Sequence, residues 1–191
     1  KNLRRYQYTN EISMISGTNL VSALKNVNEL TYYFSQYFNV WGWATWSNRW
    51  NRKKKYLNKK TVLKIQFNPN LDKKYKQWAY KAFKIHKYKN SSWAMDWFYD
   101  CLIKNTYTIT PNINLIENIG SNGTHTFKFM FSKNLFHKTY IFKKIRHREK
   151  ITYDYKLDNL IYFKCIHQNV IKKIFYKLVK VVSDFFFKKN I

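Results

Sequence analysis

The chain has 191 residues, 45% of them hydrophobic and 20% aromatic, which is the apolar content of a folded domain and excludes a disordered chain. Its 36 lysines and arginines against 10 acidic residues give a net charge of +26, which favours nucleic acid, an anionic membrane surface or an anionic substrate as partner. A compositional drift toward lysine, asparagine and isoleucine is the alternative source of this charge. No run of residues is long and apolar enough to be expected to span a bilayer.

In the first half of the chain, the spacing of apolar residues predicts two amphipathic helices on either side of an aromatic block. The first helix is expected over Leu20–Phe38, after a turn at the small polar stretch Ser16–Asn19. The block Trp41–Trp46 holds three tryptophans, and Pro69 is expected to end the element that precedes it. The second helix is expected over Leu71–Tyr88, with its lysines facing water.

The second half predicts a further helix and several short strands, so that the fold class is mixed α/β. Trp93–Ile103 has a helical apolar stripe, and Thr106–Thr110 alternates as a strand that Pro111 ends. A loop rich in asparagine, glycine and serine follows. The segments Phe127–Phe131 and Tyr140–Ile145 are then expected to form strands.

The tail from Leu160 to Phe187 predicts a basic amphipathic helix. Its apolar side carries Phe163, Ile166, Val170, Ile174, Leu178, Val181 and Phe185, and its basic side carries Lys172, Lys173, Lys177 and Lys180. Two interpretations stay open. The apolar stripe packs on the body of the protein, or the helix lies on an anionic membrane, where each lysine is worth about 1 kcal/mol.

The acids and the cysteines form no complete catalytic or metal-binding motif. The ten acids include no adjacent pair and no D-x-D, although Asp96/Asp100 and Asp154/Asp158 have the spacing of one helix face. No phosphate-binding glycine loop or metallohydrolase motif occurs. Cys101 and Cys165 fit no metal-binding spacing, so we expect buried thiols in a reducing, cytoplasmic setting.

Three blocks of unusual sequence recur in the order and spacing of a known family. The first block is I-S-G-T-N at 15–19. The second is Y-F-S at 33–35, followed by W-G-W-A-T-W at 41–46 and R-W at 49–50. The third begins with S-W-A at 92–94 and Trp97 and continues with T-P, N-L-I-x-N-I-G and G-T-H-T between residues 110 and 126. Together they resemble the C-terminal half of the bacterial nucleotide-diphospho-sugar transferases, which are glycosyltransferases with a GT-A fold. The resemblance covers Glu11–Phe131, and I-R-H at 145–147 before Asp154 and Asp158 extends it weakly.

The resemblance implies transfer of a sugar from a nucleotide diphosphate to a glycan or lipid-linked acceptor, as in the biosynthesis of cell-surface polysaccharides. Residues 1–131 would be the acceptor-side part of the GT-A domain, and residues 132–191 an extension with strands and the basic tail helix. In this family the N-terminal half supplies the nucleotide-binding sheet and the acidic motif that holds manganese or magnesium. Neither is found in this sequence, so we expect a fragment that depends on a separate N-terminal half, at the inner face of the membrane.

The acceptor groove is predicted to be lined by aromatic and small residues of two blocks: Trp41, Gly42, Trp43, Thr45, Trp46, Trp93 and Trp97. An indole face stacks on the C–H face of a sugar, and the indole N–H can bond a hydroxyl. The alternative is that these tryptophans only pack in the core. Gly42, between two tryptophans, indicates close backbone approach or a positive φ.

Asp96 is the candidate general base of an inverting transfer, because Trp93 and Trp97 would give its carboxylate apolar walls on a rigid helix. Asp100 is the second choice, and an ordinary surface aspartate is the alternative. The resemblance makes His125 a metal ligand, a role that imidazole suits for manganese-like ions, and a loop histidine hydrogen-bonded to the backbone is the alternative. The loop residues around it are expected to aim backbone N–H groups at an anion: Asn118, Gly120, Gly123 and Thr124.

Two other function classes compete with the transferase. Lysines interleaved with aromatic residues suit a nucleic-acid-binding or ribosome-associated protein, because they neutralise phosphates and stack on bases. The charge is dispersed over the whole chain, however, and no RNA-binding octet is present. A non-catalytic remnant, or an accessory subunit that pairs with a separately encoded donor-binding half, is the third possibility.

Overall fold

The computed structural model describes residues 1–21, 30–50, 59–86, 93–117, 139–142 and 144–163. In these ranges the chain is a mixed α/β structure, which confirms the predicted class. Its elements in chain order are α1 (Asn2–Arg5), β1 (Ile12–Ser16), β2 (Tyr32–Ser35), β3 (Trp43–Ala44), α2 (Lys59–Gln66), α3 (Lys73–His86), α4 (Trp93–Lys104), β4 (Tyr107–Pro111) and α5 (Tyr155–Ile161).

The four strands form one mixed sheet in the order β2-β4-β1-β3. β4 runs parallel to β1 and antiparallel to β2, and the short β3 runs antiparallel to β1 at the opposite edge. The three helices α2, α3 and α4 lie in the chain between β3 and β4. They provide the long connection that a parallel strand pair needs.

A bulge in β1 places Ile12 and Ile15, which are three residues apart, on the same face of the sheet. The register with β4 shifts between Ile12 and Met14, where one strand holds an extra residue. Ile12 and Ile15 therefore pack with Phe34 and Ile109 on one face, and Met14 packs with the helices on the other.

The larger core lies between the sheet and α2, α3 and α4. α4 contributes half of its ten buried members, five apolar side chains between Trp97 and Leu102. The buried members of this core are Met14, Phe38, Ile65, Leu71, Ala79, Trp97, Phe98, Tyr99, Cys101 and Leu102. Cys101 is a free, buried thiol, as predicted, and burial raises its pKa.

Several predicted elements are confirmed. The helix expected over Leu71–Tyr88 is α3, the helix expected over Trp93–Ile103 is α4, and the strand expected over Thr106–Thr110 is β4. α2 ends at Gln66, before Pro69, as the proline predicts.

Two predictions are wrong. The helix expected over Leu20–Phe38 gives way to strand β2 at its C-terminal end, because Tyr32–Ser35 pairs along β4 and its aromatic side chains fill both faces of the sheet. The strand expected over Tyr140–Ile145 does not form in the described part of that segment. The Tyr140 N–H donates to the Asn114 carbonyl and Ile141 is 92% exposed, while Ile145 packs against the core that contains Phe34 without strand pairing.

The strand expected over Phe127–Phe131 lies outside the described residues, as do Cys165 and the tail helix after Phe163. Among the residues that are described, no helix has the length and apolar character needed to cross a membrane.

Candidate functional site

The sequence blocks that carry the resemblance meet at the end of β1. The N–H of Gly17 donates to the carbonyl of Gly42 over 2.7 Å, and the N–H of Leu115 donates to the carbonyl of Gly17 over 2.9 Å. A Cβ on Gly17 would lie 2.7 Å from the Gly42 oxygen, so only glycine fits there. Gly42 itself has φ +56, as its position between two tryptophans indicated.

Two asparagines extend this junction. The backbone N–H of Asn19 donates to Oδ1 of Asn114 over 3.1 Å, and the Asn19 side-chain amide donates to the Pro111 carbonyl over 2.7 Å. The hydroxyl of Thr18 donates to the Trp41 carbonyl over 2.8 Å. Because these groups are largely buried, their hydrogen bonds fix the loops after β1, before β3 and after β4 relative to one another.

Four tryptophans from three parts of the chain form one aromatic cluster, which we call the indole cluster: Trp43, Trp50, Trp93 and Trp97. Five pairs of these rings have centroids 5.2–5.8 Å apart. Trp43 and Trp93 are stacked, with centroids 5.7 Å apart and planes 20° from parallel. Trp97 is 4% exposed and Trp93 is 52% exposed, so the cluster runs from the core to the surface.

Asp96 lies three residues after Trp93, the exposed member of the indole cluster, on α4. It is half-buried in the first turn of α4, where the helix N-terminus favours a carboxylate. Residues three apart on a helix are neighbours on its surface, so Asp96 and Trp93 share one side of α4. Asp100, the second choice as base, is buried, and its carboxylate pairs with the Lys104 ammonium at 2.6 Å.

The remaining predicted groove residues make contacts within the scaffold. Trp46 donates its indole N–H to the Leu3 carbonyl over 2.8 Å, and the Thr45 hydroxyl donates to the Ser13 carbonyl over 2.6 Å. The indole N–H of Trp97 faces the sulfur of Met14 at 3.2 Å. Trp41 is exposed, and its carbonyl accepts from Thr18. Trp43 and Trp93 are the two predicted aromatics that combine stacking with access to solvent.

The predicted loop residues Asn118, Gly120, Gly123 and Thr124 and the predicted metal ligand His125 lie outside the described residues. In the described ranges, no three side chains of His, Cys, Asp or Glu come close enough together to hold a metal ion. The described residues therefore do not provide a metal site.

Asp158 is a buried carboxylate to which sequence analysis assigned no role. It is 1% exposed and accepts hydrogen bonds from the Ser35 hydroxyl, the Gln36 N–H and the Tyr75 hydroxyl, at 2.5, 2.8 and 2.8 Å. Burial raises its pKa to about 6, and these hydrogen bonds oppose the rise. The Asp154/Asp158 spacing indicated one helix, and Asp154 does cap α5 by accepting from the Leu157 N–H, but that spacing does not indicate the burial of Asp158.

Comparison of the chain with protein-family models, with curated proteins and with solved structures found no match. The family resemblance and the roles of the site residues stay predictions.

Proposed function

We propose that this chain carries the acceptor-binding part of a GT-A glycosyltransferase that transfers a sugar from a nucleotide diphosphate to a glycan or lipid-linked acceptor. The observation that carries the proposal is the stacked Trp43–Trp93 pair, in which Trp93 is 52% exposed, with Asp96 three residues after Trp93 on the same helix. An exposed indole face binds the C–H face of a sugar ring by stacking. The meeting of the three sequence blocks at Gly17 and Gly42 supports the family assignment.

In the proposed reaction, Asp96 acts as the general base of an inverting transfer. An acceptor sugar that stacks on Trp93 brings a hydroxyl to the carboxylate, which takes its proton. The hydroxyl oxygen forms a bond to the anomeric carbon as the bond from that carbon to the nucleoside diphosphate breaks, and the diphosphate leaves with the electron pair. The surrounding indoles limit the access of water, which would otherwise compete with the acceptor.

The donor nucleotide and a divalent metal, manganese or magnesium, enter this proposal through the family resemblance alone. Such a metal, when bound, neutralises the charge of the leaving diphosphate. The described residues offer no ligand cluster, so no step is assigned to the metal. The donor-binding half is proposed to be either an N-terminal part of the full-length protein or a separate chain at the inner face of the membrane.

The test is a sugar-transfer assay on the full-length natural protein with labelled sugar nucleotides and manganese. We expect Asp96→Asn to slow transfer by about 10²- to 10⁴-fold, the usual contribution of a general base, while carbohydrate binding is kept. Glu149→Gln, a matched change at an exposed acid, is the control and should leave the rate unchanged. An unaltered rate in Asp96→Asn would overturn the role of Asp96. Glycan binding without transfer from any donor would instead favour the accessory-subunit alternative.

A further inference from the structure

The outward side of α2 combines lysines with large apolar side chains that are left in water. Lys60, Leu63, Lys64 and Phe67 are all exposed, with Leu63 at 47% and Phe67 at 79%. At 100° per residue these four positions share an arc of about 100°. Phe67 keeps the helical path just past the end of α2, because its N–H donates to the Leu63 carbonyl over 3.0 Å.

This outward arc is distinct from the side that holds α2 in the fold. Val62 and Ile65 are buried, and Ile65 belongs to the core under α4. The fold therefore uses one apolar side of α2 and leaves a second apolar pair unused. Contiguous exposed apolar groups ringed by charge mark interaction surfaces.

The neighbouring helix α3 has the same character. Its solvent face carries Lys73, Lys81, Lys84 and Tyr80, and the Lys84 ammonium lies 4.7 Å from the centre of the Tyr80 ring. Residues 59–86 contain eight lysines and one aspartate, a net charge of +7. The partner of such a surface must carry negative charge and must also accept apolar side chains.

We propose that α2 and α3 form a docking surface for an anionic phospholipid membrane, with Leu63 and Phe67 inserted below the headgroups. Lysines on the same arc would keep their ammonium groups at the phosphates while their stems follow the apolar residues inward. An anionic leaflet attracts clustered lysines of this kind. This inference stands apart from the proposed transferase activity, because it depends only on α2 and α3.

The experiment measures binding of the full chain to phosphatidylcholine vesicles with and without phosphatidylglycerol. We expect clear binding only to the anionic vesicles, weakened by salt. The double variant Leu63→Ser/Phe67→Ser, which leaves the charge unchanged, should bind about tenfold more weakly, and Lys60→Glu/Lys64→Glu should lose binding to a similar extent. Ile141→Ser, at a position that is even more exposed, is the control and should bind like the wild type.

The same variants titrated with a single-stranded RNA separate the membrane from a nucleic acid. Leu63→Ser/Phe67→Ser keeps every lysine, so RNA binding through phosphates should not change. The proposal is overturned if the wild type does not bind anionic vesicles, if it binds only RNA, or if the apolar double variant binds vesicles as tightly as the wild type. Circular dichroism of each variant excludes loss of folding as the cause of weaker binding.

Discussion

The backbone N–H of Gly17 and the carbonyl of Gly42 are joined by a 2.7 Å hydrogen bond that leaves no room for a side chain at Gly17. This bond connects the end of β1 with the strand that carries Trp43. The indole cluster is therefore positioned by a backbone contact, and any change at Gly17 must move β3 away from β1.

We expect Gly17→Ala to lower the free energy of unfolding by about 2 kcal/mol, because its Cβ would overlap a backbone oxygen that cannot rotate away. Gly42→Ala should cost about 1 to 2 kcal/mol, because an alanine must adopt the positive φ. Urea unfolding followed by circular dichroism measures both. An unchanged midpoint in Gly17→Ala would contradict the close approach.

The one described non-glycine residue with positive φ is Asn105, at the C-terminal end of α4. Its side-chain oxygen is buried and has no hydrogen-bond partner within the described structure. Asn105→Gly removes both costs and should raise the free energy of unfolding by about 0.5 kcal/mol. The same urea titration tests this change, and a loss of stability would show that the asparagine side chain contributes more than the strained backbone costs.

Arg49 joins the N-terminal segment to the block that contains Trp46. One guanidinium nitrogen donates to the carbonyls of Tyr6, Gln7 and Thr9 at 2.9–3.0 Å, and the group stacks 3.6 Å above the Trp46 ring. A lysine ammonium can also donate to carbonyls, but it lacks the planar guanidinium that stacks on Trp46, so Arg49→Lys should cost about 1 kcal/mol. Arg4→Lys, at an exposed arginine of the same segment, is the control and should be neutral within about 0.5 kcal/mol.

The buried Asp158 predicts how stability depends on pH. Its pKa in the folded protein, about 6, lies above the ordinary value of 3.8, so the folded state holds the proton more tightly than the unfolded state. Stability from this group is complete below about pH 4 and is lost as the pH rises through 6, by about 3 kcal/mol. Asp158→Asn keeps an acceptor for the Gln36 N–H and should abolish this loss.

The measurement is the difference in free energy of unfolding between Asp158→Asn and the wild type from pH 4 to pH 7, in which the other titrating groups cancel. The difference should grow in favour of the variant as the pH rises. Parallel curves would contradict the raised pKa. Asp158→Ala should be less stable than Asp158→Asn at every pH, because it leaves the Gln36 N–H without an acceptor.

Sequence periodicity correctly predicted those elements that bury one continuous stripe of apolar side chains. α4 was predicted almost to its ends because Trp97 and Cys101 follow the helical period and both are buried. β2 was missed because Leu30 and Phe34 also fit a helical period, and pairing with β4 outweighs that local pattern.

The candidate site could be predicted only in part for a related reason. The tryptophans stand out in the sequence, but the stacking of Trp43 on Trp93 joins residues 50 positions apart through packing. The partners of Asp158 on β2 and α3 lie 83 to 123 positions away. No local sequence pattern indicates contacts between residues so far apart in the chain, so the burial of Asp158 could not be predicted.

Carbohydrate binding at the indole cluster tests the proposed acceptor site most directly. Saturation-transfer NMR with a panel of oligosaccharides should give transfer to sugar C–H protons, and Trp93→Ala should weaken binding at least about tenfold by removing the exposed stacking face. Tyr140→Ala, at an aromatic of similar exposure that is not a member of the cluster, should bind like the wild type. Absence of binding to any oligosaccharide, or equal binding by Trp93→Ala and the wild type, would contradict the proposed acceptor site.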